Sequence, residues 1–237
     1  MPPAQVQPHK IDRSLTTLLA VQVVTLFVAM PLVTEDPSLH ILLDLCHLAY
    51  ALVCVAALAR HRVVQAVLIA ALLLLIVGPE IGRRVLISLD TTTSAALRHD
   101  LIQVAAFAFN MGVTLLVARH VFGPGRVTGH RVRGAVLLYL NIAAVFGIVF
   151  TAILSHWPDA LVTGSGAPLA PDAGGRTALL TYFSLSTLTT TGYGDVVPVL
   201  PLARSLANLE AVMGQLFPAT LLARIVALHL EHSREED

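Results

Sequence analysis

Charge is what this chain has least of. Aspartate, glutamate, lysine and arginine together make up 13% of its 237 residues, against roughly 25% in a soluble domain. Hydrophobic residues make up 56%, and mean hydropathy is +0.77. Together these deviations argue against a water-soluble globular domain and read as a multi-span membrane protein. The formal net charge is +0, so no global basic or acidic field points to a nucleic-acid partner. Cysteine is nearly absent. Cys46 and Cys54 lie eight positions apart in one apolar run, about 12 Å along a helix at ~1.5 Å per residue. A disulfide needs Cα atoms within ~7 Å, so the two do not pair with each other there. HExxH, paired CxxC, Walker and Rossmann motifs are missing as well, and no enzyme signature remains. No internal repeat is visible.

Long apolar runs are what the chain has instead. A membrane span needs about 20 apolar residues. Leu15–Val33, Leu39–Ala59, His99–Ala118, Gly134–Leu154 and Leu202–Leu228 meet that length. Val63–Val77 is apolar but short. It either continues through Pro79 as a kinked helix or stops at Gly78, with Glu80–Leu89 in the interface. About six spans follow, plus Thr177–Leu188, which is too short to cross. Lys10 and Arg13 before the first run resemble the opening of a signal peptide. Leu15–Val33 is long for an h-region of ~7–15 residues, however, and "LVTEDPS" offers no small-x-small cleavage site.

Positive charge sets the expected topology. With the N-terminus inside, Lys10, Arg13, Arg60, Arg62, Arg119, Arg126, Arg131, Arg133, Arg224 and Arg234 fall on the inner side. Arg83, Arg84, Arg98, Arg176 and Arg204 fall outside. This two-to-one bias runs in the direction of the positive-inside rule. It implies a multi-pass protein of the cell membrane with both termini cytoplasmic. The organisation expected is a front block over 1–125, a linker over 126–133 rich in Gly and Arg, a back unit over 134–229 and a charged tail over 230–237.

Within the back unit, "SLSTLTTTGYGDVVP" (Ser184–Pro198) interrupts two apolar segments. The helical run Thr177–Leu188 is expected to enter the membrane from outside and turn back at Thr189–Asp195. Non-helical backbone at membrane depth must line a watery cavity or lie in protein. This stretch resembles the selectivity filter of the potassium channel family, T-V-G-Y-G followed by D. Thr190, Thr191, Gly192, Tyr193 and Gly194 align on the five filter positions, and Asp195 follows. The resemblance covers roughly Gly134 to His229 and leaves out the front block.

The resemblance implies a passive channel in which backbone carbonyls replace the water shell of a potassium ion. Gly192 and Gly194 allow the positive φ that aligned carbonyls require. The resemblance makes K+ coordination the role of Thr190, Thr191, Gly192 and Tyr193, with the Thr190 hydroxyl a further ligand at the inner end. Tyr193 is expected to pack behind the filter and Asp195 to attract cations at the outer mouth. Thr191 stands where the family usually has valine, which alters the packing behind the filter and not the coordinating carbonyl. The C-terminal end of the short helix, near Leu188, would add its negative dipole end. One filter strand cannot encircle an ion, so with the fourfold ring that the resemblance implies, a homotetramer is expected.

The last span carries Gly214 and Pro218. Proline removes the N–H that would bond the Gly214 carbonyl and crowds that carbonyl, so a bend is expected there. It is either a gating hinge or a static kink. Leu222 and Val226 are candidates for an inner constriction that closes by dewetting. Glu210 lies one turn before Gly214 and either supports the short helix or faces the pore. Asn208 is a second polar candidate for the cavity wall. His229 and His232, near the inner mouth, are read as a solvated helix end.

The front block lacks what a voltage sensor needs, arginines at about every third position of one span. "HDLIQVAAFAFNMGVTLLVA" has none inside it. Asp44 and His47 share a helix face and are read as satisfied between helices, with a pH-sensing role as the alternative. Asn110 sits mid-span. The sequence thus reads as an all-α membrane protein with about six transmembrane helices, a re-entrant pore helix and filter, and a tetrameric pore. It implies a potassium-selective channel that is no enzyme, with K+ as permeant ligand, no other cofactor, and lipid and further copies as partners. No appended soluble regulatory domain is expected. The alternatives are a non-selective cation channel on the same scaffold, or a transporter subunit or membrane adaptor in which GYG is a plain turn.

Overall fold

The structure is a computed structural model that describes residues 8–35, 39–57, 69, 92–123, 129–169 and 173–235. The chain divides into two compact units, Met1–His120 and Val121–Asp237. Among the described residues, four helices are long and apolar enough to cross a membrane: Ser14–Val33, Asp100–Val121, Arg131–His156 and Pro201–Ala223. The protein is a helical membrane protein. The ambiguous third run, with Pro79 and Glu80, lies outside the described residues.

The first unit begins with α1 (Pro8–Val24), a π-helical turn (Thr25–Ala29) and α2 (Met30–Glu35), which together form the first candidate span. The wide turn has a cause in the sequence. Pro31 cannot donate to Phe27, four residues back, and its ring crowds that carbonyl. A π turn just ahead of it, with the Met30 N–H reaching Thr25 O, opens the spacing. Leu15, Leu18, Leu26, Ala29 and Val33 are buried, as are Tyr50, Ala51 and Cys54 of α3 (His40–Ala57). α1 packs on α3. α4 (Thr92–Val121) satisfies its mid-span polar groups locally. Asn110 Nδ2 donates to Ala106 O at 2.9 Å, and Thr114 Oγ1 donates to Asn110 O at 2.7 Å. His47 is exposed on α3, while the Asp44 side chain lies outside the described residues.

The second unit holds α5 (Gly129–His156), β1 (Leu161–Thr163), α6 (Ala173–Leu188), β2 (Val196–Pro198) and α7 (Pro201–Glu235). Two apolar clusters bind its helices. One joins Phe150, Ile153 and Leu154 of α5 to Leu180 and Phe183 of α6 and Ala203 and Ala207 of α7. Phe150 and Phe183 meet edge to face at 5.0 Å, a preferred aromatic geometry. The other joins Ile142 and Ala143 of α5 to Leu188 of α6, with Tyr139, Met213 and Phe217 against them. α5 and α6 approach closely because residue 147 is glycine. A Cβ there would lie 2.8 Å from Thr181 Oγ1 and 2.9 Å from Thr181 Cα.

The helical fold class holds, and three details add to the sequence reading. Beside the helices, β1 and β2 pair antiparallel, with Leu161 opposite Pro198 and Thr163 opposite Val196. The linker assigned to 126–133 is shorter, because α5 begins at Gly129. The apolar window had marked only where lipid-facing sequence begins, and arginines extend a helix past that edge by carrying their charge to water. The tail assigned to 230–237 is likewise helical through Glu235, as the end of α7. Pro218 lies inside that helix.

Candidate functional site

The last turn of α6 leads straight into the Thr-rich stretch, and its hydrogen bonds explain how. A helix leaves its last four carbonyls without intrahelical partners. Here each has found one. Leu185 O accepts from the Thr189 N–H at 3.0 Å and from Thr189 Oγ1 at 2.7 Å. Ser186 O accepts from the Thr191 N–H at 2.8 Å and the Gly192 N–H at 3.3 Å. Thr187 O accepts from the Thr190 N–H at 2.9 Å. Leu188 O accepts from the Tyr139 hydroxyl of α5 at 3.0 Å.

The pair Thr191→Ser186 and Thr190→Thr187 is a Schellman motif, in which the residue after the cap takes a left-handed conformation. That residue is Thr190, with φ +57°. Glycine usually fills this position. A β-branched residue there is an outlier, and the strain costs about 1–3 kcal/mol. The strain is held by the two backbone bonds and by Gln215 of α7, whose Nε2 donates to Thr190 Oγ1 at 3.0 Å.

Beyond Thr190 the sign of φ alternates. Gly192 and Gly194 are positive, at +58° and +77°, while Thr191, Tyr193 and Asp195 are not. Two glycines meet this requirement cheaply; Thr190 meets it at a cost. All residues from Thr189 to Asp195 are exposed in the single chain. Thr191, the departure from the family pattern, has a hydroxyl partner. Its Oγ1 lies 2.8 Å from Thr189 Oγ1, which itself donates to Leu185 O.

The far end of the stretch is tied down separately. Tyr182 of α6 stacks on Tyr193, with ring centroids 5.9 Å apart and planes 9° off parallel. The Tyr182 hydroxyl donates to Asp195 Oδ2 at 2.9 Å. Asp195 Oδ1 accepts from the Val196 N–H at 3.0 Å, and the Asp195 carbonyl accepts from the Gly164 N–H at 2.8 Å. Gly164 follows β1, so the β1–β2 pair brings the loop after α5 against the end of the glycine stretch. A side chain at 164 would overlap the Gly194 carbonyl.

The remaining candidates occupy α7. Glu210 is fully buried and hydrogen-bonded to Ser184 of α6. Asn208 is exposed. Gly214 is pressed on the end of α6: a Cβ there would overlap Leu188 O and lie 2.7 Å from its carbonyl carbon. Leu222 is exposed, and the Val226 side chain lies outside the described residues, as do those of His229 and His232. Tyr139, Tyr182, Ser184, Gly164 and Gln215 were not singled out from the sequence. Gln215 carried a signal, as an amide beside Gly214 in an apolar helix. Tyr139 carried none, because its partner is 49 positions away.

The family model described as an ion channel matches residues 176–230, which span most of α6, the glycine stretch and α7 through residue 230. Comparison with curated proteins gives no match, and comparison with solved structures gives none. The match is to the segment that holds the alternating backbone, and it supports an ion channel of the pore-loop kind.

Proposed function

We propose that the protein is a potassium-selective channel that conducts K+ passively through a filter formed by Thr190, Thr191, Gly192, Tyr193 and Gly194. The observation that carries this reading is the alternation of φ at residues 190, 192 and 194 in an exposed segment anchored at both ends. Such backbone offers carbonyl oxygens rather than side chains, as a dehydrated potassium ion requires. α6 is then a re-entrant pore helix, α5 the outer helix and α7 the inner helix, in a six-span chain with cytoplasmic termini. Asp195 sits at the outer mouth, within reach of arriving cations.

A ring around an ion needs four copies of the strand, so the working form is a homotetramer. The exposed apolar side chains Leu209, Val212 and Leu216 on α7 suit burial against a neighbouring copy or lipid. The inner helix either hinges at Gly214 and Pro218 or keeps one shape, and Leu222 and Val226 would line its constriction.

The test is ion flux from liposomes holding purified protein, with reversal potentials in mixed potassium and sodium. Potassium flux with a strongly potassium-biased reversal potential is expected. No flux would defeat the channel reading. Equal sodium flux would defeat selectivity and favour a non-selective cation channel. Thr191→Val refines the test: it removes only the bond to Thr189 Oγ1, so selectivity is expected to hold or tighten.

A further inference from the structure

Glu210 is buried with a single hydroxyl against its carboxyl group. Its residue is fully buried and its Oε2 has no hydrogen-bond partner. The groups that face it are the Ser184 hydroxyl on α6, the Ala143 carbonyl of α5 beyond that hydroxyl, and the Tyr139 phenol of α5. None of these carries positive charge, and the Tyr139 proton is committed to Leu188 O. Ser184 Oγ lies within bonding distance of two acceptors at once, Glu210 Oε1 and Ala143 O, the latter at 2.7 Å.

A serine hydroxyl has one proton to give. If Glu210 is ionised, one of these two contacts sets oxygen lone pairs against each other, and a buried charge stands unpaired. If Glu210 carries a proton, both contacts are made. The Glu210 acid donates to Ser184 Oγ, and Ser184 donates to Ala143 O. Only the acid's carbonyl oxygen is then left without a partner, a milder defect than a buried charge.

We infer that Glu210 is a neutral carboxylic acid and a positioning residue, the first donor in a directed chain of hydrogen bonds from α7 through α6 to α5. Ser184 lies one turn before Leu188, so the chain fixes the pore helix between its two neighbours close to the point where the filter begins. Ser184 and Glu210 are both fully buried, which keeps the acid from bulk water. Its role as a support for the filter rests on the channel reading above; its protonation does not.

The experiment is infrared spectroscopy of the purified full-length protein with 13C-labelled glutamate, in lipid at neutral pH, with ion flux measured in parallel. A carbonyl band of a protonated acid is expected. It should vanish in Glu210→Gln, and in Glu210→Asp an acid band should remain without the isotope shift, because aspartate carries no label. Either variant assigns the band, so a failure of one to fold leaves the other. Gln keeps a donor for Ser184, and folded Glu210→Gln is expected to unfold at the same midpoint as the wild type. Carboxylate bands alone at Glu210 would overturn the inference. If the protein conducts sodium as well as potassium, the channel reading changes but the acid band is unaffected.

Discussion

Replacing Gly214 with alanine separates two accounts of the inner helix. A glycine in a helix interior costs about 0.5–1 kcal/mol relative to alanine. If Gly214 serves only to let α7 bend, Gly214→Ala should stabilise the protein by that amount. The structure gives the opposite sign. The new Cβ would overlap the carbonyl oxygen of Leu188 and come within 2.7 Å of its carbon and 3.1 Å of its Cα. These are backbone atoms at the end of a helix, not the far end of a flexible side chain. Overpacking of this kind costs roughly 1–3 kcal/mol. Pushing Leu188 away also endangers its bond from Tyr139, worth about 0.5–1.5 kcal/mol. Set against the propensity gain, the net is a loss of roughly 1–3 kcal/mol. The assay is reversible unfolding in mixed detergent micelles, with ion flux as the second readout. Tyr139→Phe supplies an internal check. Both changes act on the Leu188 carbonyl, so the double variant should lose less than the sum of the two. A Gly214→Ala protein as stable as the wild type, or more stable, would refute the close approach and leave flexibility as the reason for the glycine.

Three further substitutions probe the stretch itself. Thr190→Gly relieves the left-handed strain, about 1–3 kcal/mol, while removing the hydroxyl; stability should hold or rise in unfolding assays as potassium preference falls in reversal-potential measurements. Gln215→Leu deletes the donor to Thr190 Oγ1 and should cost about 1 kcal/mol in stability, with single-channel conductance changing while selectivity persists. Gly164→Ala sets a side chain against the Gly194 carbonyl and should cost roughly 1–3 kcal/mol, visible as faster amide exchange at residue 164, whose N–H bonds the Asp195 carbonyl.

The parts of this molecule legible in the sequence are those set by one residue or one run. Four of the long apolar runs hold helices of spanning length among the described residues, while Leu39–Ala59 holds only a shorter apolar helix, and the lack of arginine between Asp100 and Ala118 needs no structure to be seen. The glycines at 192 and 194 announced a backbone requirement, and their φ values are positive. The contacts that hold the stretch were not legible, because each joins distant positions. Tyr139 meets Leu188 across 49 positions, Ser184 meets Glu210 across 26, and Gln215 meets Thr190 across 25. The β1–β2 pair is hidden for another reason. Strands of three residues in a loop rich in Gly and Pro show no period, and pairing with β2 rather than local propensity defines them.

Thr190 shows why the glycine stretch and the helix before it cannot be treated as separate parts. Its N–H closes the end of α6 on Thr187, its left-handed φ completes the Schellman motif, and its hydroxyl is the side-chain oxygen proposed to meet the ion. Glycine would close the helix at less cost, yet glycine has no hydroxyl. The structure retains strain at the position where the side chain is proposed to meet the ion, a pattern expected of functional sites. The N–H groups of Thr191 and Gly192 bond Ser186 O and sit in the same closure. Turning their peptide groups to point a carbonyl elsewhere would release carbonyls of α6. Each released group costs about 1–3 kcal/mol when buried without a partner. The glycine stretch thus resists local distortion because distorting it uncaps the helix behind it, and Tyr139, Gln215 and the Glu210–Ser184 contact limit how far that helix end can move.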